Sequence, residues 1–319
     1  MSNSILTPPS GGDLVCRRAR VHEIPSAIAV ILGSIARPAP TAQVVEFINS
    51  ATARRIDVQA VWVAEKSGRI VWSVLPILNP GRTLLLLTSQ DIPLPNLPAA
   101  RLVEEICRHF GSNGVHLTQV LLESQSRQAR EFFASMAFNE IAELIYLQGA
   151  VPKNSLAPTL PEHMRLVEYS PATHAIFADA ITKTYQDSLD CPVLSGMRDI
   201  EDVIAGHQAT GEFDPAGWQV LLKGDEPMGV FLLSRIPHSD AVELVYLGLC
   251  PQARRKGLGN LLMKQIFSLI LRDHGRRLSL AVDAKNAPAL KLYFQFGMRQ
   301  VATRWAMIRD LRTTGHLPS

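Results

Sequence analysis

Apolar positions along the chain fall into two similar series of elements. Helical spacing of apolar residues predicts helices over 28–35, 99–110 and 127–136, and again over about 174–184, 259–272 and 287–296. In the fifth of these, Leu261, Leu262, Ile266, Leu269 and Ile270 form one stripe. Short apolar runs predict strands over 60–64, 70–78, 84–87, 117–122 and 141–147, then over 218–222, 229–233, 242–249, 278–282 and 305–308. Ser126, Ala129, Phe133 and Phe138 stand 160 positions (293 − 133) before Asn286, Ala289, Tyr293 and Met298, in a gap-free register. Duplication of one fold explains that register. The expected organisation is a flexible tail over 1–16, a first domain over 17–150, a Pro-rich polar linker over 151–163 and a second domain over 164–319. The fold class expected is α+β, two tandem domains, each a mixed, mostly antiparallel sheet flanked by helices.

Composition narrows the class. At 47% hydrophobic and 19% charged residues, a chain of 319 residues can bury two cores and is not a disordered polymer. A net charge of +3 is too small for a dedicated nucleic-acid binder, so no nucleic-acid partner is expected. The longest apolar run, over 27–32, is far short of the roughly 20 residues that span a bilayer. The first residues lack the order of a signal peptide, so no membrane partner and a cytoplasmic location are expected. Cys16, Cys107, Cys191 and Cys250 are scattered, without metal-ligand spacing, and no metal is expected.

One segment carries candidate chemistry. The strand over 242–249 ends at Cys250-Pro251, and a basic turn with Arg254, Arg255, Lys256, Gly257, Leu258, Gly259 and Asn260 opens straight into a helix. Glycines permit a sharp turn and close approach, while first-turn amides and the helix dipole attract an anion. The turn lacks the Gly-Lys-Ser/Thr of a phosphate loop, and Leu262 occupies the third glycine of a dinucleotide fingerprint. Arg254, Gly257 and Gly259 instead fill Arg/Gln-x-x-Gly-x-Gly/Ala, a pattern for coenzyme A.

Together with Asn286, Ala289, Tyr293, Gly297 and Met298, which match N-x-x-A-x-x-x-Y-x-x-x-G-F except at the last position, this turn resembles the GNAT superfamily of acyl-CoA-dependent N-acetyltransferases. The resemblance covers about 165–311, and the tandem order is similar to that of the mycothiol synthases. It implies two GNAT-like domains, and acetyl transfer from acetyl-CoA, as acyl donor, to the amine of a small molecule or peptide N-terminus, by direct attack in a ternary complex. It also implies that Leu247, Gly248 and Leu249 meet the pantetheine arm along a splayed strand, that Asn286 contacts that arm, and that Tyr293 protonates the departing thiolate. Asn286 also reads as a helix N-cap, and Tyr293 as a packing residue beside Leu290 and Phe294. A strand glycine such as Gly248 often marks a bulge or a close approach.

Glu243 is the candidate base. Strand alternation places it on one face with Val245, Leu247 and Leu249, and burial there would raise its pKa. Cys250 has no neighbouring histidine to activate it, which disfavours a covalent cysteine route. Asp187, Asp190 and Glu201 could draw in a cationic amine; His207 receives no role. In the first half, three prolines within 90–98 remove amide donors, leucines replace the glutamate, and Ser126 and Phe133 replace Asn286 and Tyr293. That half is expected to be degenerate, shaping the cleft without binding coenzyme A. The alternative is a non-catalytic acyl-CoA-binding regulatory or interaction protein.

Overall fold

The computed structural model describes residues 14–194, 196–237 and 239–312. All but residues 14–16 of the expected N-terminal tail lie outside them, and those three belong to a strand. In the first half, β1 (Leu14–Arg18), β2 (Trp62–Lys66), β3 (Arg69–Asn79), β4 (Thr83–Thr88), β5 (Leu117–Glu123) and β6 (Asn139–Ala150) alternate with α1 (Ile24–Leu32), α2 (Thr41–Ala53), α3 (Leu97–Gly111) and α4 (Arg127–Ser135). The second half repeats the order with β7 (Met164–Glu168), α5 (His174–Tyr185), α6 (Ile200–Gln208), β8 (Glu212–Lys223), β9 (Glu226–Arg235) and β10 (Ala241–Leu249). It closes with α7 (Leu258–Arg272), β11 (Arg277–Asp283), α8 (Ala287–Gln295) and β12 (Arg299–Asp310).

All twelve strands form one sheet in the order β1-β2-β3-β4-β5-β12-β6-β11-β10-β9-β8-β7. The closing strands are exchanged. β12 pairs antiparallel with β5 of the first half, and β6 pairs antiparallel with β11 of the second. The exchange reaches the cores: Met307 and Leu311 pack into the first half's aromatic core, while Leu147 and Val151 pack into the core under α7. The cuts expected at 150 and 164 therefore divide the sequence but not the packing. Burial of the exchanged apolar residues is worth roughly 1.5–3 kcal/mol each, which ties the halves together.

Two parallel pairs interrupt the antiparallel pattern, β4 with β5 and β10 with β11. The second is short. Only Ala241, Val242 and Glu243 pair with Arg277, Leu278 and Ser279, and beyond Glu243 the two strands part. β9 continues alongside β10 to Leu249, so the gap opens on one edge alone. α7 closes the underside, burying Leu258, Leu262, Met263, Ile266, Phe267, Leu269 and Ile270. Among the described residues, no helix is long and apolar enough to cross a membrane.

Candidate active site

The gap between β10 and β11 is a cleft of about 520 Å³. Its walls include Leu247, Gly248, Leu249, Arg254, Arg255, Gly259, Asn286 and Tyr293, eight of the thirteen residues singled out from the sequence. Four of the rest, Lys256, Gly257, Leu258 and Asn260, follow in the turn and first helical turn. The Leu258 side chain points into the core, so only its backbone can serve a ligand. Gly257 caps α7 in the left-handed region (φ 76°), and a Cβ there would meet nothing within 4 Å. The first-turn amides of α7 have no intrahelical acceptors, the arrangement in which a helix start can receive an anion.

The three cations of the turn do not act alike. The Arg254 guanidinium donates to the carbonyls of Leu249 (3.1 Å), Thr184 (3.2 Å), Gln186 (2.6 Å) and Asp187 (3.0 Å). It ties the C-terminal end of α5 to the turn, where a cation complements exposed carbonyls. Arg255 and Lys256 remain exposed. Gly248 is also held by packing: a Cβ there would lie 2.6 Å from Tyr246 Oη and 2.7 Å from Thr184 Cβ. The close approach predicted from this glycine is thus made by α5 and Tyr246.

The bulge lies upstream of Gly248. Pairing with β9 skips Val245, so Leu244 faces Leu233 and Tyr246 faces Leu232. One extra residue inverts the alternation beyond it. Glu243 consequently shares its face with Tyr246 and Gly248 rather than with Leu247 and Leu249, which corrects the expectation from strict alternation. Leu244, Leu247 and Leu249 join the core under α7, while Tyr246 packs with Phe177 and Trp218 beside α5.

Asn286 caps α8 by accepting a hydrogen bond from the Ala289 amide at 3.3 Å, and it lines the cleft at the same time. Tyr293 is 6% exposed and reaches the cleft from α8; Phe294, expected beside it on an apolar stripe, is 49% exposed. Burial, reinforced by the Asp190 carboxylate, pushes the Tyr293 phenol well above its ordinary range, so it stays protonated. Asp190 lines the same cleft; burial raises its own pKa, and its Oδ1 accepts from the Asp283 amide at 3.4 Å. Cys250 has no exposed surface and burial raises its thiol pKa, which makes it a poor nucleophile.

Glu243 lines a second cavity, of about 1100 Å³, on the side of β10 that faces the first half. Burial raises its pKa, opposed by the charge of Arg54. β10 is the wall common to both cavities, which separates the candidate base from the candidate acid. Asp187 reaches the cleft with Asp190, whereas Glu201 pairs with His174 at 3.0 Å and lines neither cavity. His207 lines the Glu243 cavity and stacks on Tyr246 with ring centres 5.7 Å apart. Its burial, with Arg198 nearby, depresses its pKa to about 4. Arg54 lies far in sequence from Arg198 and His207, and the three carry no local motif, so their convergence was not legible from the chain.

Residues 181–298 match the Acetyltransferase (GNAT) family. That span runs from within α5 to the residue before β12 and contains both the cleft and the turn. The fold is that of tandem GNAT proteins. A GCN5-related N-acetyltransferase from Sphaerobacter thermophilus superposes with a TM-score of 0.60 at 16% identity, over 95% of this chain and 98% of its own. A tandem GNAT protein from the clavulanic acid biosynthesis pathway gives 0.53 at 14% identity, over 96% and 99%. A glucosamine N-acetyltransferase region of a fungal multi-domain GH3 β-N-acetylglucosaminidase gives 0.60 at 15% identity, over 96% of this chain and 39% of that one. No curated protein matches the chain. Among the described residues, no group of three or more His, Cys, Asp or Glu could hold a metal ion.

Proposed function

We propose that the protein moves an acetyl group from acetyl-CoA to the amine of a small molecule, in a ternary complex, using the second half as the catalytic unit. The observation that carries this reading is the cleft itself: a strand edge left unpaired beyond Glu243, ending at a helix whose first-turn amides have no intrahelical acceptors. An extended arm ending in a diphosphate fits that sequence of surfaces. The unpaired edge of β10 offers it backbone groups, Gly257 leaves the turn open, and the amides of 258–260 with Arg255 and Lys256 receive the negative charge. Acetyl-CoA supplies the thioester; the C–S bond breaks as the amine nitrogen forms its bond to the acyl carbon.

Protein groups move the protons. Glu243, buried and of raised pKa, takes a proton from the ammonium form of the acceptor, directly or through a water, and frees the lone pair. Tyr293, protonated across the neutral range, gives its proton to the departing thiolate. It is reprotonated, through solvent, by the second proton that the acylated nitrogen sheds, while Glu243 returns its proton to solvent. Because the two groups stand on opposite sides of β10, the acceptor amine must enter from the side facing the first half while the thioester lies in the cleft. The likeness to mycothiol synthases rests on the tandem order and identifies no acceptor. A cytoplasmic enzyme is part of the same reading.

Thiol release from acetyl-CoA, followed across polyamines, aminoglycosides, amino sugars, amino acids and peptide N-termini, tests the reading. Glu243→Gln lowers turnover of every accepted amine by roughly 10²–10⁴ without changing acetyl-CoA affinity. The sign of the pH dependence follows from the raised pKa. The parent's rate falls with decreasing pH at a higher pH than an ordinary carboxylate would impose, and the variant lacks that limb. Equal rates for parent and Glu243→Gln would remove Glu243 from the mechanism.

A further inference from the structure

The cavity that holds Glu243 is lined from both halves. Arg54 and Arg55 at the C-terminal end of α2, with Thr83 and Leu85 of β4, form one wall. Arg198, with Gly206 and His207 of α6, forms the opposite wall beside Glu243. A turn of the first half fixes α6 in place. The Arg82 guanidinium pairs with the Asp202 carboxylate at 2.6 Å, and Gly81 lies so close to the Asp202 carbonyl that a Cβ would stand 2.1 Å from its oxygen.

Charge in this cavity is unbalanced. Arg54, Arg55 and Arg198 line it with Glu243 and the exposed Glu212, Arg54 being the one whose charge acts on Glu243, and none of the three arginines forms an ion pair among the described residues. Arg198 is half-buried and donates from Nη2 to the Asp202 carbonyl at 3.1 Å. The Asp202 carboxylate, its nearest plausible counter-ion, is already taken by Arg82. Two enclosed nitrogens, Arg198 Nε and His207 Nε2, have no hydrogen-bond partner among the described residues. Gly206 makes the room this arrangement needs, since a Cβ there would sit 2.8 Å from Arg198 Nη2. A half-buried guanidinium that forms no ion pair of its own, with its Nε unpaired beside an unpaired imidazole nitrogen, is costly unless a ligand completes it.

We propose that the acceptor is an amine that also carries an anionic group, a carboxylate or a phosphate, held by Arg198 with Arg54 and Arg55 while its amine faces Glu243. This rests on the acyl-transfer reading and specifies its acceptor. A planar guanidinium matches either anion through paired donors, and neutral His207 can add one hydrogen bond from an imidazole N–H. It also gives the first half a chemical task, because two of the three arginines come from α2 and the turn after it.

The test compares matched acceptors with the full-length protein: amino acids against their amides, and phosphorylated amino alcohols against the parent alcohols. The expected result is a kcat/KM higher by about tenfold or more for the anionic member. That ratio collapses toward one in Arg198→Gln and in Arg55→Gln, the second lying at an exposed position that does not support the fold. A ratio near one in the parent, or a ratio unchanged in both variants, overturns the proposal while leaving acyl transfer intact. Failure of the acyl-transfer reading looks different: no thiol is released with either member and acetyl-CoA does not bind. Calorimetry with inorganic phosphate and with succinate then decides the anion site independently. Binding weakened in both variants supports it, and no binding by the parent overturns it. Preference for phosphate over succinate, or the reverse, identifies which anion the site was built for.

Discussion

The two halves meet the same problem at the same place and solve it oppositely. Where β10 leaves β11, the second half keeps an open cleft, with Asp190 reaching across to the amide of Asp283. Where β4 leaves β5, the loop that follows β4 itself crosses the gap: Gln90 Oε1 accepts from the amide of Glu123, the residue 160 positions before Asp283, at 3.0 Å, a place that Asp190 takes from a distant loop in the second half. Gln128 pins the following loop through the Ile92 carbonyl at 3.2 Å. Behind that loop Phe133, with no exposed surface, packs edge-to-face with Phe132 and Phe138 at 5.1 Å each. By strand pairing, Leu85 stands opposite Gln119 where Glu243 stands opposite Ser279. One backbone thus supports a ligand cleft or a sealed core, and a handful of side chains at equivalent positions decide which.

The comparison can be broken most strongly at the aromatic pair. Tyr293→Phe gives the second half the first half's side chain and removes the proposed proton donor. It is expected to lower turnover roughly 10²-fold in stopped-flow thiol release, with acetyl-CoA affinity and melting temperature nearly unchanged. An unaltered rate would leave Tyr293 as packing alone. A smaller effect follows from loosening the sealed half. Gln90→Ala leaves the Glu123 amide without its acceptor and costs about 1 kcal/mol of stability by denaturant titration, without creating a second coenzyme A site. Gain of such a site would show that the side-chain plug alone silences the first half.

Much of this was legible in the chain because it is local. The strand, basic turn and stripe of α7 read directly from spacing, and the register linking Tyr293 to Phe133 exposed the duplication. α2, with a polar face over 41–53, and the short edge strands β1 and β7 gave too weak a pattern to register. The bulge at Val245 leaves no composition signal, since valine is an ordinary strand residue, and it reversed the face assigned to the residues beyond it. The exchange of β6 and β12 depends on which partners two similar strands choose, which no single segment encodes. The arginine-lined cavity is built from residues on α2, the loop before α6 and β10, so its charge appears only after folding.

Acetyl-CoA binding measured by isothermal calorimetry on the full-length protein bears most directly on the difference between the halves. One molecule bound per chain is expected, with binding abolished in Gly257→Asp, which places a carboxylate and a Cβ in the left-handed turn at the proposed diphosphate site. Two molecules per chain, or undiminished affinity in that variant, would contradict the assignment of the cleft to the second half alone.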